Sequence, residues 1–297
     1  MKRIVFASGK GGTGKTTLTA LVAVDLAASF PLVSADCDVE AANLPIALGA
    51  IGIACEPFAG SPAAIIDAGK CRGCGACVAA CRFDALGPGE TFGRDRAYTV
   101  DRWACEGCGA CVPVCPFGAL ALVPSRAGEV CRSSTMVGPM AFGRLAPGED
   151  LSGKLVTEVR TRAEDAAAAS GATALLIDGP PGVGCPATAA ISNTDLLVAV
   201  TEPTVSGAHD LARLITLARH LRVPVSVVLN KADLSVSGAE RIRALVLAEG
   251  LELIAEIPYD AGAGSVFDGG ALDASRLRGD TRRAVASVSE RIATHLA

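Results

Sequence analysis

The sequence predicts an α/β protein with a doubly wound, mostly parallel sheet and a small inserted α+β domain. Two observations predict the sheet: short apolar runs alternate with helix-like stretches, and the runs before Asp36 and Asp178 each end at a carboxylate. A third predicts the insertion, because the alternation stops between residues 61 and 124, where the chain becomes rich in Cys and Gly. We therefore expect one discontinuous domain over residues 1–60 and 125–297, and an inserted domain over 61–124.

The elements of the sheet are predicted from the apolar runs and from the stretches that follow them. The predicted strands cover residues 4–7, 31–35, 174–177, 196–201, 225–229 and 253–257, and the predicted helices cover 18–28, 154–170, 206–221, 238–249 and 281–295. Continuous apolar runs such as 174–177 are typical of parallel strands buried on both faces. Because the carboxyl ends of parallel strands meet at one edge, we expect functional side chains there.

Composition and charge narrow the classes of function. Half of the 297 residues are apolar and 4% are aromatic, which indicates a sizeable aliphatic core. The net charge of −4 argues against nucleic acid as a partner. The first apolar run is too short for a signal peptide, and none reaches the roughly 18 residues of a membrane span. We expect a cytoplasmic protein, in which twelve cysteines indicate metal binding rather than disulfides.

The loop after the first strand carries the pattern G-x-x-x-x-G-K-T, which is typical of phosphate-binding loops. Its glycines let backbone N–H groups turn towards a phosphate, and the helix N-terminus adds partial positive charge. Lys15 is expected at the β- and γ-phosphates, and the Thr16 hydroxyl on Mg²⁺. The expected nucleotide contacts in this loop are Gly11, Gly12, Thr13, Gly14, Lys15, Thr16 and Thr17. The alternative is a glycine-rich turn that binds nothing.

The inserted segment contains two copies of the spacing C-x₂-C-x₂-C-x₃-C. This spacing places three thiolates around one [4Fe–4S] cluster, while the fourth cysteine of each copy crosses to the other cluster. The predicted ligands are Cys71, Cys74, Cys77 and Cys115 for the first cluster, and Cys105, Cys108, Cys111 and Cys81 for the second. Zinc and disulfides are the alternatives, and the short spacing between the cysteines favours clusters over both.

Residues 61–124 resemble a bacterial-type ferredoxin domain with two clusters. Pro116 follows the last cysteine of the second copy, as in that family, whereas Arg82 takes this place in the first copy. The resemblance implies electron transfer, with a purely structural role for the clusters as the alternative.

Lys10 is a second lysine within the phosphate-binding loop, in addition to the usual one. With it, the loop resembles the deviant Walker A motif of the MinD/Mrp/nitrogenase-iron-protein family, and residues 1–60 and 125–297 share this resemblance. It implies a sheet of the P-loop NTPase type and a nucleotide-dependent dimer, either a homodimer or a heterodimer with a related ATPase. In such a dimer Lys10 reaches the phosphates of the other subunit. The whole chain resembles MinD-superfamily ATPases that contain an inserted ferredoxin domain.

The two strand-end carboxylates belong to segments that resemble the switches of this family. Asp36 and Asp38 resemble switch I, and Asp178 opens a segment that resembles switch II. The resemblance implies that Lys10, Lys15 and Asp38 form the catalytic set, with Asp38 positioning the attacking water. It places Asp36 and Asp178 near Mg²⁺, and the alternative for both is a simple cap at a strand end.

Two later segments resemble the base-side loops of the family. Asn230 and Asp233 stand in the first and Pro258 in the second. An amide can read adenine and a carboxylate can read guanine, so both nucleotides stay open from the residues alone. The resemblance implies ATP or ADP with Mg²⁺.

The function expected from these resemblances is a slow or partner-stimulated ATPase that couples dimer switching to electron transfer towards a partner metalloprotein. One alternative is an ATPase for metal-cluster assembly or delivery, and another is a MinD-like positioning ATPase. The apolar stripe of the last helix is expected to pack on its own domain rather than on a membrane. Cys131 and Cys185 are weighed as ligands of a bridging cluster, and this stays open.

Overall fold

Strands and helices alternate over most of the chain. The computed structural model describes residues 1–92, 95–149, 152–267 and 272–296. The strands in these ranges are β1 Lys2–Ser8, β2 Leu32–Asp36, β3 Ile51–Ile66, β4 Leu86–Phe92, β5 Asp95–Val100, β6 Leu120–Thr135, β7 Gly138–Leu145, β8 Ala174–Pro181, β9 Leu196–Thr201, β10 Val225–Asn230 and β11 Glu252–Ile257. The α-helices are α1 Lys15–Ala27, α2 Leu44–Ala47, α3 Ala76–Ala80, α4 Ser152–Ser170, α5 Cys185–Ile191, α6 Val205–His220, α7 Val236–Ala248 and α8 Gly279–Leu296. Short 3-10 helices cover Ala232–Leu234, Ala261–Phe267 and Ala274–Arg276.

The main sheet of the described residues has nine strands in the order β11-β10-β9-β1-β8-β2-β7-β6-β3, and β4 and β5 form a separate pair. β1 lies between β8 and β9 and is parallel to both. The pairs β9–β10, β10–β11, β2–β8 and β2–β7 are parallel as well. The prediction of a mostly parallel α/β sheet is therefore confirmed, and its central carboxyl ends meet at one edge.

The largest apolar cluster joins this sheet to two helices. Alternate side chains of β1, Ile4 and Phe6, pack there with residues of α1 and α8. Burying one such side chain stabilises the fold by about 1.5–3 kcal/mol. Val285, Val288 and Ile292 of α8 are buried in the cluster, so the apolar stripe of the last helix packs on its own domain, as predicted. No helix in the described ranges is both long and apolar enough to cross a bilayer.

The sequence analysis missed three strands of the main sheet, namely β3, β6 and β7. β3 and β6 contain Gly, Pro and Ser, which disrupt the apolar pattern from which strands are predicted. A two-residue turn, Met136 and Val137, joins β6 to β7. Gly138 follows it with φ +131°, and a Cβ there would lie 2.3 Å from the backbone oxygen of Leu32, so this close approach requires glycine.

The chain divides into two compact units. Met1–Glu56, Glu129–Leu145 and Ser152–Ala297 form the larger unit, and Pro57–Gly128 with Ala146–Leu151 form the smaller. The smaller unit contains both cysteine repeats, and its apolar centre includes two of their cysteines, Cys77 and Cys111. The predicted domain limits, and the identity of the insert as a ferredoxin domain, stay predictions.

Candidate functional site

The glycine-rich loop connects β1 to α1 at the carboxyl edge of the sheet, where α1 begins at Lys15. Gly12 and Gly14 have φ of +81° and +83°, which favour glycine. A Cβ on Gly14 would lie 2.4 Å from Nδ2 of Asn230 at the end of β10, so a side chain at position 14 would clash with that residue. The Thr13 hydroxyl is buried and has no hydrogen-bond partner within the described part of the chain. An unsatisfied buried hydroxyl beside backbone amides suits a loop that receives a polar ligand.

Asp178, at 0% exposure, gathers three side chains of α1 around one carboxylate. Lys15 Nζ lies 2.8 Å from Oδ1, and the Thr16 and Thr19 hydroxyls donate to Oδ2 and Oδ1 at 2.5 and 3.1 Å. Burial opposes the charge of the Lys15 ammonium, but Asp178, together with the more distant Asp38 and Asp36, outweighs this effect and raises the pKa of Lys15. The structure therefore brings Lys15, Thr16 and Asp178 together, as the motifs predict.

Asp36 holds the backbone of the segment that follows β2. Its Oδ1 accepts from the backbone N–H of Asp38 at 3.0 Å, and its Oδ2 accepts from that of Leu44 at 2.9 Å. Complete burial and the nearby Asp178 carboxylate raise the pKa of Asp36 well above its ordinary value. Asp38 Oδ2 lies 4.0 Å from Lys15 Nζ. These carboxylates and the Thr16 hydroxyl are oxygen donors of the kind that Mg²⁺ prefers, so the residues fit that ion.

Lys10 contacts Glu202, which directly follows β9. Its Nζ lies 3.1 Å from Glu202 Oε2 and 3.4 Å from the hydroxyl of Thr204. Lys231 binds the other oxygen of Glu202 at 2.5 Å and also donates to the backbone oxygen of Gly12 at 3.1 Å. Burial opposes ionisation of Glu202, but hydrogen bonds from Lys231 and Lys10 lower its pKa overall. One carboxylate thus holds the side chains of two lysines at the mouth of the loop.

A cavity beside the loop contains most of the predicted base-side residues. It has about 920 Å³ of empty space including its open mouth, and Gly14, Thr17, Asn230 and Pro258 line it. The Asn230 amide is already engaged, because Nδ2 donates to the backbone oxygen of Thr13 at 2.7 Å and Oδ1 accepts from the backbone of the next residue at 3.0 Å. Asn230 therefore fastens the loop to β10.

Asp233 is placed differently from the other base-side residues. Its Oδ1 accepts from the backbone N–H of Tyr259 at 2.6 Å. It lines a neighbouring depression with Arg243 and Glu256 rather than the cavity beside the loop. The carboxylate that the sequence analysis considered for guanine is thus used to hold the second base-side segment.

In the smaller unit, the repeat cysteines line two small cavities. Cys71, Cys74, Cys77 and Cys115 line one, and Cys81, Cys105, Cys108 and Cys111 line the other. The cavities have about 310 and 340 Å³ of empty space, which includes the solvent at their open mouths. Each is lined by the four cysteines that the crossed spacing assigns to one cluster, and thiolates are the ligands of such clusters. In their chemistry and grouping, the cysteines of each cavity fit one cubane cluster.

Backbone amides are directed at two of these sulfur atoms. Ala64 N donates to Cys105 Sγ, and Ala119 N donates to Cys115 Sγ, both at 3.4 Å. The backbone N–H groups of Ala119 and then Phe117 lower the pKa of the Cys115 thiol. Amides in this position favour thiolates and tune the potential of a bound cluster.

Two cysteines outside the repeats form a disulfide that the sequence analysis did not predict. Cys55 on β3 is bonded to Cys131 on β6 across 76 residues of sequence. Cys131 is fully buried, so this bond removes it as a ligand of a bridging cluster. Cys185 is exposed at the start of α5, and Cys37 is buried after β2. A separation of this length leaves no spacing signal from which the pair could be predicted.

A family model described as the CobQ/CobB/MinD/ParA nucleotide binding domain matches residues 4–268. The chain belongs to this family. It is 34% identical over 235 residues to the uncharacterised protein MJ0578 of Methanocaldococcus jannaschii, over 78% of this chain and 79% of the relative. It is 27% identical over 240 residues to MJ0579 of the same organism, over 79% and 82% of the two chains.

Solved structures of MinD proteins have a similar fold. The cell division ATPase MinD of Pyrococcus furiosus matches with a TM-score of 0.57 and 20% identity, over 99% of this chain and 100% of that chain. MinD of Pyrococcus horikoshii, solved with Mg-ADP, matches with a TM-score of 0.57 and 18% identity, over 100% and 98%. At these identities the likeness shows the fold, which is a P-loop NTPase-like α/β fold with a mostly parallel sheet, as the sequence predicts.

Within this member of the MinD/ParA family, Glu202 and Lys231 are the contacts that sequence reasoning did not assign. Glu202 lies immediately after a buried strand, at the same edge as Asp36 and Asp178, and this position is the signal that could have identified it. Lys231 directly follows Asn230, and its φ of +56° is unusual for a residue with a side chain. Glu202 binds Lys10 of the phosphate-binding loop, and Lys231 donates to the backbone oxygen of Gly12 in the same loop.

Proposed function

We propose that this chain is a switch ATPase of the MinD type that binds Mg-ATP at the glycine-rich loop, closes into a dimer and reopens after hydrolysis. The observation that carries the proposal is the double contact of Asp178 with Lys15 and Thr16. When nucleotide and metal are bound, Lys15 would hold the β- and γ-phosphates and Thr16 would hold the metal. Mg²⁺ supplies charge neutralisation of the phosphate oxygens. Asp178 would then lose Lys15 and Thr16 while Thr19 stays in contact, and this exchange of partners is the two-state element of the switch.

ATP is the proposed nucleotide. A carboxylate that selects guanine must reach the base, but Asp233 lines a separate depression and its Oδ1 accepts a hydrogen bond from the backbone of Tyr259. The amide of Asn230 is engaged with the loop. Adenine would instead be held by the walls of the adjacent cavity, where Pro258 lies.

The proposed dimer uses Lys10, which is one-third exposed at the mouth of the loop. Lys10 would leave Glu202 and reach the phosphates held by the other subunit, which is a second copy of this chain or a related ATPase. Asp38, close to Lys15, would position the attacking water. Lys10, Lys15 and Asp38 therefore form the proposed catalytic set.

Nucleotide binding, dimerisation and hydrolysis test this proposal together. With Mg-ATP, the wild-type chain is expected to hydrolyse ATP slowly and to double its mass in solution, whereas Lys15→Ala binds no nucleotide. Lys10→Ala is expected to bind ATP yet stay monomeric and inactive. Lys154→Ala, an exposed lysine of α4, is the matched control and keeps the wild-type behaviour. A Lys10→Ala chain with wild-type dimerisation and turnover would contradict the proposed role of Lys10.

We further propose that the smaller unit holds two [4Fe–4S] clusters through its eight repeat cysteines, and that the ATPase cycle controls electron transfer to a partner metalloprotein. Such clusters accept and donate single electrons. The support is the arrangement of four cysteines around each of two cavities. The chain contributes the thiolates and the amide hydrogen bonds from Ala64 and Ala119 to the sulfur atoms.

Iron and acid-labile sulfide in anaerobically purified protein test the clusters. Wild type is expected to hold about eight of each per chain, and Cys74→Ser, at an exposed position of the first cavity, about half as much. Cys185→Ser, also exposed, is the control with full content. Electron paramagnetic resonance of the reduced protein, with and without Mg-ATP, then tests whether nucleotide binding affects the clusters. A change in the cluster spectrum or midpoint potential on addition of Mg-ATP is the expected result.

The comparisons favour a MinD-like ATPase without electron transfer over the redox proposal, because MinD cell division proteins are among the similar structures. One of them is a MinC:MinD complex of Aquifex aeolicus, in which MinD is bound to a partner protein. This second candidate predicts nucleotide-dependent binding of a protein partner by a chain that contains no iron. A third candidate, cluster delivery, predicts transfer of iron and sulfide to an apo-acceptor. Iron analysis and transfer assays therefore separate the three.

A further inference from the structure

The disulfide in the larger unit lies beside a carboxylate. Cys131 and Glu129 are two residues apart on β6, so their side chains lie on the same face of the sheet. Cys55 reaches this face from the neighbouring edge strand β3. The two sulfur atoms and a carboxylate oxygen of Glu129 all lie within 4.8 Å of one another. Three donor atoms thus converge at one point, away from the phosphate-binding loop in sequence and outside the repeat cysteines.

Two thiolates and one carboxylate form a donor set suited to a borderline-soft divalent cation. Zn²⁺ accepts sulfur and oxygen ligands, and three protein ligands leave a fourth position for water. Sulfur atoms bonded to each other are not thiolates, so the disulfide state cannot bind the ion in this way. Cys55 and Cys131 therefore have two chemical states: as a disulfide they cannot bind the ion, and as two thiolates they can.

The three donor residues differ in their exposure to solvent. Cys131 is fully buried in the apolar cluster of the larger unit, so its sulfur is held by packing. Cys55 is exposed and Glu129 is half-buried, which leaves a path from solvent. Fixed donors with an entry path are what a metal site in a folded chain requires.

We propose that in the reduced chain Cys55, Cys131 and Glu129 bind one divalent ion of the Zn²⁺ class. A small-molecule disulfide that takes up two electrons and two protons, and so becomes two thiols, re-forms the Cys55–Cys131 bond and releases the ion. A dithiol reductant delivers two electrons and two protons to the S–S bond, which yields two thiols while the reductant becomes a disulfide. When the ion binds, the two thiols release two protons to solvent and two metal–sulfur bonds form. The proposal is independent of the nucleotide and of the clusters.

Zinc content after reduction tests this site on the full chain. The protein is reduced anaerobically with a dithiol, exchanged into buffer with Zn²⁺ and a weak chelator, and analysed for zinc and iron by mass spectrometry. Wild type is expected to hold about one zinc ion more than Cys55→Ser, whose exposed position tolerates serine. Glu129→Gln is expected to retain less zinc than wild type at the same chelator concentration. Cys185→Ser matches wild type.

The comparison of wild type with Cys55→Ser distinguishes zinc at this site from zinc bound by the repeat cysteines. Zinc that enters the two cysteine cavities is present in wild type and Cys55→Ser alike, so their difference counts only the proposed site. In oxidised samples the two chains are expected to hold equal zinc. Equal zinc in the reduced samples, with thiol titration showing two more thiols in reduced wild type than in oxidised wild type, overturns the proposal. A disulfide that withstands the dithiol overturns it as well.

Discussion

Asp36 and Asp178 lie directly opposite each other on the neighbouring parallel strands β2 and β8, and both are fully buried. Two carboxylates at this spacing repel, and this contributes to the raised pKa of Asp36. The partners of the two are different in kind: Asp178 binds side chains of α1, whereas Asp36 binds backbone amides. Asp178 can therefore exchange its partners when a ligand arrives, while Asp36 keeps the following segment in place.

Replacing Asp178 by Asn should destabilise the nucleotide-free chain. The substitution leaves the buried Lys15 ammonium without its close anionic partner, and breaking a buried pair in this way costs about 3 kcal/mol. Urea unfolding without nucleotide measures the free energy of unfolding. Asp165→Asn, an exposed residue of α4, is the control and should change it little. Equal stability of the two variants would contradict the assigned role of the ion pair.

Gly14→Ala should be far more damaging than Gly11→Ala. Gly14 has φ +83° and a Cβ there would meet Asn230 at 2.4 Å, whereas a Cβ on Gly11 has nothing within 4 Å. Left-handed strain and the clash together should lower the free energy of unfolding by about 2 kcal/mol or more. Thermal unfolding of both variants without nucleotide checks this, and similar losses at the two glycines would show that the loop is not held against β10.

Glu202 should contribute stability that depends on pH. Its folded pKa is below its unfolded value of about 4.3, so the contribution is present above that pH and is lost as the pH falls through the folded pKa. Glu202→Gln should cost about 1 kcal/mol at pH 7 and flatten the decline of stability below pH 4.3. Unfolding by urea between pH 3 and 7 measures this. Glu290→Gln, at an exposed position of α8, should keep the wild-type profile.

Cys37 and Cys185 should differ sharply in reactivity. Complete burial, followed by the Asp36 charge, raises the pKa of the Cys37 thiol well above its ordinary value, while Cys185 is exposed. Alkylation acts on thiolates, so a short treatment of the native chain should label Cys185 and leave Cys37 unmodified. Peptide mass spectrometry locates the label. Rapid labelling of Cys37 in the folded chain would show that the segment after β2 opens.

The sequence predicts that Lys15, Thr16 and Asp178 stand at the carboxyl edge of the sheet, because all three lie in recognisable motifs, but it does not predict the direct contact of Lys15 with Asp178. It also predicts the sets of cysteines around each cavity, because the spacing of one repeat determines which sulfurs can approach each other. It does not predict that Asp233 accepts a hydrogen bond from the backbone of Tyr259, since the identity of a residue does not show whether its carboxylate is hydrogen-bonded in the fold. The long strands β3 and β6 are missed because pairing with neighbours, rather than local apolar periodicity, keeps them extended.

Lys231 has a consequence for how quickly a dimer of this chain could form and separate. Glu202 binds Lys10 through one oxygen and Lys231 through the other. If Lys10 departs for another subunit, Glu202 still has Lys231, so this half-buried carboxylate is not left without a positive neighbour. Lys10 can then leave Glu202 and return to it without protonation of the Glu202 carboxylate, so the electrostatic barrier is small in both directions. The lifetime of the closed state would thus be governed by the nucleotide rather than by the release of Lys10.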